Sequence, residues 1–232
     1  MRRLGLLGGM SWESSVVYER HINHEVRRTL GGVASADLII RSFNFAEIES
    51  RQSRGDWDGA GWLLAQAAAE LQSAGAEAIV LCTNTMHRVA DAIEATIEVP
   101  LLHIVDATGA ALIDGGSHKP LLLGTAYTME QPFYRDALVQ KFGVDVVIPD
   151  STQRADVHRI IYDELVQGVI SDASRRRLVD IVDSMAAAEG IDGVIAGCTE
   201  IELLLGPSDI SVPYFPTTAI HATYAARWAL AH

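Results

Sequence analysis

The sequence predicts an α/β protein made of two similar α/β domains, each with a mainly parallel sheet. Three observations carry this. Short continuous apolar runs alternate with longer helical stretches, the pattern of strands covered on both faces and joined by helices. The only two cysteines each follow such a run in the same local context, AEAIVLCTNTMH at Cys82 and DGVIAGCTEI at Cys198. They lie 116 residues apart in a chain of 232, and that offset also relates Gly8 to Gly124 and Tyr18 to Tyr134. There LGLLGGMSWESSVVYER is similar to PLLLGTAYTMEQPFYRD. A period this long means a duplicated domain, not a solenoid.

The elements follow in order. Arg3–Leu7 is a core strand, closed by the Gly8-Gly9 turn, and Trp12–Thr29 is the helix behind it. Ala36–Ser42 is the second strand. The Ala/Leu-rich stretch Gly59–Ser73 is a helix leading to strand Ala78–Leu81 and Cys82. A helix over Thr85–Thr96 opens there, with Asn84 or Thr83 as its cap. Strand Leu101–His103 and helix Ile104–Asp114 come next. The repeat then restarts with strand Leu121–Leu123, the Gly124 turn and helix Pro132–Phe142. Strand Val144–Ile148 and helices Ala155–Gly168 and Ser174–Ala188 lead to strand Gly193–Ala196 and Cys198. Thr199 is placed to cap a short helix over Glu200–Leu205, before strand Val212–Phe215 and helix Thr218–Ala229. EVPLLH around Pro100 reads as the crossing between halves, and VPYFPT, with Pro213 and Pro216, as the return. The expected domains are 1–98 plus 212–232, and 99–211.

Composition removes several function classes. The apolar runs are strand-sized, so no transmembrane helix is expected. MRRLGLLGGM breaks at Gly8-Gly9 and reads as a core strand, not a signal peptide. Two cysteines without an export signal point to the reducing cytoplasm. A net charge of −12 argues against nucleic-acid binding, which needs a basic face. There are sixteen arginines but only two lysines, Lys119 in the turn GGSHKP and Lys141 in VQKFG. Neither resembles the buried lysine that anchors pyridoxal phosphate, so that cofactor is not expected.

Each cysteine stands where a strand ends and a helix opens. Partial positive charge and free N–H groups at a helix start favour thiolate and draw the thiol acidity from about 8.5 toward neutrality. The same N–H groups can cradle a carboxylate. A matched pair of such thiols suits a nearly symmetric reaction, the transfer of a proton from one face of a carbon to the other. The bland alternatives are two buried cysteines acting as small apolar residues, a disulfide, or a metal site. The disulfide conflicts with the compartment. Cys82 and His87 have a Cys-x4-His spacing, but a helix turns His87 away, and Glu200 has no His nearby to complete a tetrahedral set. No metal is expected. Gly5-Leu-Leu-Gly8-Gly9 does not match the dinucleotide fingerprint. Its glycines either let the backbone approach a small substrate, with Met10 and Ser11 at the edge, or form a plain βα turn. His21 and His24 read as surface residues of a helix.

At GLLGGMSWES, VLCTNTMH and GCTEI the sequence resembles the aspartate/glutamate racemase family across nearly its whole length. It looks closest to the bacterial broad-specificity amino-acid racemases, on LGGMSWES, a GDWD-like loop at Gly55–Asp58, GTAYTMEQ-like and AIHA segments. The resemblance implies two α/β domains related by pseudo-two-fold symmetry, an active site in the cleft between them, and no cofactor or metal. It implies Cys82 and Cys198 as catalytic residues, one from each domain. It places substrate contacts at Met10, Gln52, Thr83, Asn84, Thr85, Thr199 and Glu200. A small amino acid is the expected partner, without nucleic acid or membrane, in a homodimer by analogy.

One departure bears on substrate. Aspartate racemases of this family tend to carry a lysine for the second carboxylate where this chain reads IIYDELVQGVIS, Ile160–Ser171, with Val166 near the position. Arg51, beside Gln52, is the alternative cation. The missing lysine points to neutral or polar amino acids, against a dedicated aspartate/glutamate enzyme. Related decarboxylases and isomerases of the superfamily compete with this reading. From other classes, so do a non-catalytic small-acid binder and a thiol redox protein; the latter lacks a C-x-x-C pair.

Overall fold

The computed structural model describes residues 1–231, which divide into two units, Met1–Ile104 with the chain from His221 onward, and Val105–Ile220. In chain order the first unit contains β1 (Leu4–Gly8), α1 (Trp12–Leu30), β2 (Leu38–Ser42), α2 (Phe45–Ser53), α3 (Trp57–Ser73), β3 (Ala78–Leu81), a 3₁₀ turn (Thr85–Val89), α4 (Ala90–Glu94) and β4 (Leu101–Leu102). The chain continues through α5 (Ile104–Asp114), β5 (Pro120–Gly124), α6 (Ala126–Glu130), α7 (Pro132–Phe142) and α8 (Ser151–Arg159). A π turn (Ile160–Glu164), a 3₁₀ turn (Leu165–Gln167), α9 (Asp172–Glu189), β6 (Gly193–Gly197), α10 (Ile201–Leu204), β7 (Tyr214–Pro216) and α11 (Thr217–Leu230) complete it.

The first sheet is parallel in the order β2-β1-β3-β4, with Leu4 opposite both Leu38 and Ala78. β1 and β3 are buried at every residue, as continuous apolar strands require. One face carries Leu7, Ile79 and Leu81 against Leu64, Ala68 and Leu71 of α3. The other carries Leu4, Leu6, Val80 and Cys82 with Tyr18, Ile22 and Val26 of α1 and Ala222, Ala225 and Ala226 of α11. The spacing Tyr18, Ile22, Val26 is one helical stripe. Gly9, at φ +83, ends β1 in a conformation only glycine adopts readily, and a Cβ there would strike the backbone of Phe43.

The second sheet, β5-β6-β7, is also parallel and registers Pro120 with Gly193 and Val194 with Tyr214. A single bridge joins Leu121 to Val147, in the place β2 takes beside β1. The duplication thus extends from local motif to strand order: edge, Gly-ended strand, Cys-ended strand, short outer strand. α8 opens with a capping box, Asp150 accepting from Gln153 N while Gln153 Oε1 accepts from Asp150 N.

Several expectations are corrected. Leu101–Leu102 belongs to the first sheet, where Ile79 N bonds Pro100 O and Ile79 registers with Leu101. Tyr214–Pro216 belongs to the second, where Val194 N bonds Pro213 O. Each short strand finds its partner in the Cys-ended strand just before it, so the chain changes units later than 98/99 and 211/212. The strand expected over Val144–Ile148 shrinks to one bridge. The helix expected over Ala155–Gly168 starts at Ser151 and loosens into the π and 3₁₀ turns.

Candidate active site

In the first unit, Gly8 to Ser11 follow β1 and Cys82 to Thr85 follow β3. Cys82 N bonds Leu7 O at 2.9 Å, carrying the ladder one residue past β3, and Thr83 N turns back to Leu81 O at 2.8 Å. Cys82 is fully buried and its Sγ lies 3.7 Å from Val80 O. Burial makes this thiol a much weaker acid, raising its pKa well above the ordinary thiol value. The Gly turn is fixed by Ser15, whose Oγ accepts from Gly9 N at 2.7 Å and donates to Ser11 O at 3.2 Å.

Of the expected substrate contacts in this unit, Met10, Gln52, Asn84 and Thr85 are buried, Thr83 less so. Gln52 Nε2 donates to Met86 Sδ at 3.0 Å, and Met86 and Met10 share one apolar cluster. Arg51 is committed elsewhere: its guanidinium pairs with Asp56 at 2.6 Å. The polypeptide after Cys82 is a 3₁₀ turn, not the start of a longer α-helix, and the Asn84 side chain does not cap it.

Sequence reasoning missed the residues that hold this loop. His87 Nδ1 lies 2.7 Å from Thr83 O, and its Nε2 accepts from Ile104 N at 3.2 Å. The carbonyl can only accept and the amide only donate, so His87 is neutral with its proton on Nδ1. Burial, with His103 and His221 nearby, lowers its pKa well below the ordinary imidazole value. His221 Nε2 lies 2.6 Å from Leu102 O, and its Nδ1 2.9 Å from Tyr18 Oη. The AIHA and NTMH segments contained both histidines, but only the 3₁₀ turn brings His87 back to Thr83.

In the second unit, Cys198 follows β6 and is 8% exposed. Its Sγ donates to Glu200 Oε2 at 3.0 Å. Burial first, then the Glu200 carboxylate, raise this thiol's pKa well above its usual value. The N–H groups of Glu200 and Ile201 pull the other way and lose. The expectation of thiols near neutrality is therefore corrected for both cysteines. Desolvation outweighs a helix start when α10 is a single turn. Glu200 occupies its N-cap position and spends its carboxylate on Cys198 instead of the turn. Thr199 is half-buried between them.

Behind this pair stands a second carboxyl that the sequence did not reveal. Glu202 Oε1 accepts from Thr218 N at 2.9 Å, and burial pushes its pKa up to about 7. The Tyr214 phenol is raised by burial and by Glu202, Asp209 and Cys198. At the end of β5, Thr125 caps α6, and Ala126 N donates to His158 Nδ1 at 3.2 Å. The segment without lysine keeps Val166 half-buried in its 3₁₀ turn, while Glu164 accepts from Arg159 at 3.0 Å and from Ser174 Oγ. Lys119 and Lys141 are surface groups paired with Glu189 and Asp106. Among the described residues no three His, Cys, Asp or Glu side chains gather as a metal cradle. No helix among them is long and apolar enough to cross a membrane.

Each unit thus presents one protonated, buried cysteine at the end of its sheet, beside a tight polar loop. Comparison with known proteins agrees with this architecture. A broad-specificity amino-acid racemase, RacX of Bacillus subtilis, is 24% identical over 154 residues, covering 66% of this chain and 64% of the relative. The match therefore spans slightly less than two thirds of that relative. A candidate Asp/Glu racemase from Yersinia pestis superposes over the full length of both chains, with 53% identity and a TM-score of 0.93. An aspartate racemase homologue from Pyrococcus horikoshii OT3 does so with 34% identity and a TM-score of 0.87. The family model for Asp/Glu/hydantoin racemases matches residues 7–225, and the chain belongs to that family.

Proposed function

We propose that this protein is a cofactor-independent two-base amino-acid racemase, with Cys82 and Cys198 serving opposite faces of the substrate Cα. The observation that carries the reading is the matched pair: one buried thiol at the end of the equivalent strand of each sheet. One thiolate removes the Cα proton and the opposite thiol delivers its own to the other face, so protons balance and the enzyme is poised for the reverse turn. Because both thiols rest protonated, a base must first be made. On the second side Glu200, 3.0 Å from Cys198 Sγ, takes that proton. A thiolate generated in so dry a setting is a stronger base than one in water. The growing charge on the substrate carboxylate needs fixed donors, the role given to Thr83, Asn84, Thr85 and Thr199. Met10 and Gln52 are the remaining proposed substrate contacts. The protein's proposed setting is the cytoplasm, and its proposed assembly a homodimer. The test is solvent deuterium: it should enter Cα of substrate and product in protein treated with chelator and free of pyridoxal phosphate. Activity that requires either a metal or that cofactor overturns the reading.

The substrate proposed is a neutral or polar amino acid such as homoserine, methionine or leucine. Ile160–Ser171 offers no lysine, and Arg51 is held by Asp56. A dedicated aspartate/glutamate racemase is the second reading, favoured by the 34% identical aspartate racemase homologue. Circular dichroism on a panel of L-amino acids separates them. Neutral substrates should show kcat/KM at least equal to that of aspartate; a large excess for aspartate or glutamate selects the second reading.

A further inference from the structure

We propose that Glu202 tunes the Cys198 side of the reaction: its negative charge makes Glu200 a better acceptor for the Cys198 proton. This role, which rests on the two-base reading, adds a positioning residue to it. Glu200 touches Cys198 Sγ at 3.0 Å, but a carboxylate is ordinarily a far weaker base than a thiolate. A group that raises the proton affinity of Glu200 is therefore needed if Glu200 is to relieve Cys198. Glu202 stands two residues on, in the single turn of α10. Its Oε1 accepts from Thr218 N at 2.9 Å, and Thr218 is buried at the start of α11.

Residues two apart on a helical turn point to different sides, so the two carboxyls do not share a proton. Their link is charge. The Glu200 carboxylate adds to the rise that burial imposes on Glu202, and such an interaction acts equally in both directions. Glu200 is also the carboxylate whose charge bears on Cys198. The order of influence is Glu202, Glu200, Cys198. Once Glu202 is charged, moving the Cys198 proton onto Glu200 removes one of two neighbouring negative charges, so the transfer is favoured. The other groups around Glu202 do not cancel this. The Tyr214 phenol of β7 stays neutral, raised by burial and by Glu202, Asp209 and Cys198, and its Oη has no hydrogen-bond partner among the described residues. Asp209 accepts from Gly206 N at 2.7 Å. Arg175 of α9 is held by Leu204 O at 2.8 Å and by Asp172 at 2.7 Å. The turn Leu165–Gln167 carries no ionisable group, and Glu164 before it is taken by Arg159 and Ser174. Among the described residues no cation acts on Glu202.

The test is deuterium exchange at Cα against pH in Cys82→Ser, where only Cys198 is left to act, and in Cys198→Ser, where only Cys82 is. Glu202 ionises at about pH 7. Exchange by Cys82→Ser should therefore rise about tenfold between about pH 6 and about pH 8, the equivalent of one pKa unit of coupling. Adding Glu202→Gln should remove that rise and leave the pH profile of Cys198→Ser as it was. A rise that persists in Glu202→Gln, or a change that is equal in both cysteine variants, overturns the proposal. A second measurement makes no use of activity. In carbon NMR of protein labelled at the Glu carboxyls, the Glu200 signal, assigned by its loss in Glu200→Gln, should bend at about pH 7 in the wild type and not in Glu202→Gln. A wild-type Glu200 signal without that bend overturns the proposal whatever the activity. The bend without exchange in either cysteine variant overturns the racemase reading instead, and leaves the coupling of the two carboxyls standing.

Discussion

Glu202 is the residue whose ionisation should be visible in the stability of the whole chain. Its carboxyl, near 4.5 in an unfolded chain, is pushed up to about 7 by burial, with Glu200 adding to the rise and Thr218 opposing it. The folded state therefore holds a proton that the unfolded state releases, and stability falls as pH rises from about 4.5 to about 7. One unit is worth about 1.4 kcal/mol, so the full penalty has a ceiling of about 3 kcal/mol. Glu202→Gln keeps an oxygen for Thr218 N and removes the charge. Its stability relative to wild type should rise across that interval and level off above it, measured by urea unfolding at several pH values. A flat difference means Glu202 is solvated. The sequence did not expose this group, since Glu202 follows a Cys-Thr-Glu motif that already accounts for one carboxylate. Cys198 and Glu200 were legible as residues, but the bond between them depends on a turn too short to supply the capping role expected from their order.

At the scale of elements, α1 and α11 are tied by one acid. Glu25 of α1 is 10% exposed and accepts from Arg28 at 2.6 Å and from Arg227 at 3.0 Å. The hydrogen bond from Arg28, helped by Arg227, holds its carboxyl down to about 2 against the cost of burial. This stabilisation is present above pH 4.5 and is lost as pH falls toward 2. Both arginines are largely exposed, so solvent screening reduces the contribution to about 1–2 kcal/mol. Glu25→Gln should cost that much at pH 7 and nothing at pH 2, read by thermal unfolding at the two pH values. An equal cost at both would mean packing, not charge, is at work. α1, α5 and α7 were legible almost to the residue, because their apolar stripes and turn residues are local. α2 was not foreseen: FAEIESRQS is short and polar, and Asn44, accepting from Ala46 N, is its one clear local signal. The sheet to which β4 and β7 belong was also hidden, since two or three apolar residues carry no information about their neighbour.

For the whole molecule the duplication is the organising fact, and it makes a demand on both halves at once. The shared strand order puts Cys82 and Cys198 at equivalent places, but their surroundings differ. Cys82 is enclosed by apolar groups and the Thr83 loop pinned by His87, whereas Cys198 has a carboxylate in contact. Two bases of unequal character suit two enantiomers that present mirror-image faces. Removing either thiol should abolish racemisation, because no group then supplies the proton from that side, and general-base losses run to about 10²–10⁴-fold. Proton exchange need not stop with it. Cys82→Ser should still exchange the Cα proton of one enantiomer, and Cys198→Ser that of the other. On the two-base reading proposed above, the expected outcome is that Cys198, relieved of its proton by Glu200, acts on the L-enantiomer and Cys82 on the D-enantiomer. Glu200→Gln should then slow exchange from L-substrate more than from D-substrate. The measurement is deuterium entry into each enantiomer separately, for all three variants. Racemisation near the wild-type rate in either cysteine variant makes that thiol structural and ends the two-base reading. Exchange of the same enantiomer by both leaves the two thiols on one face.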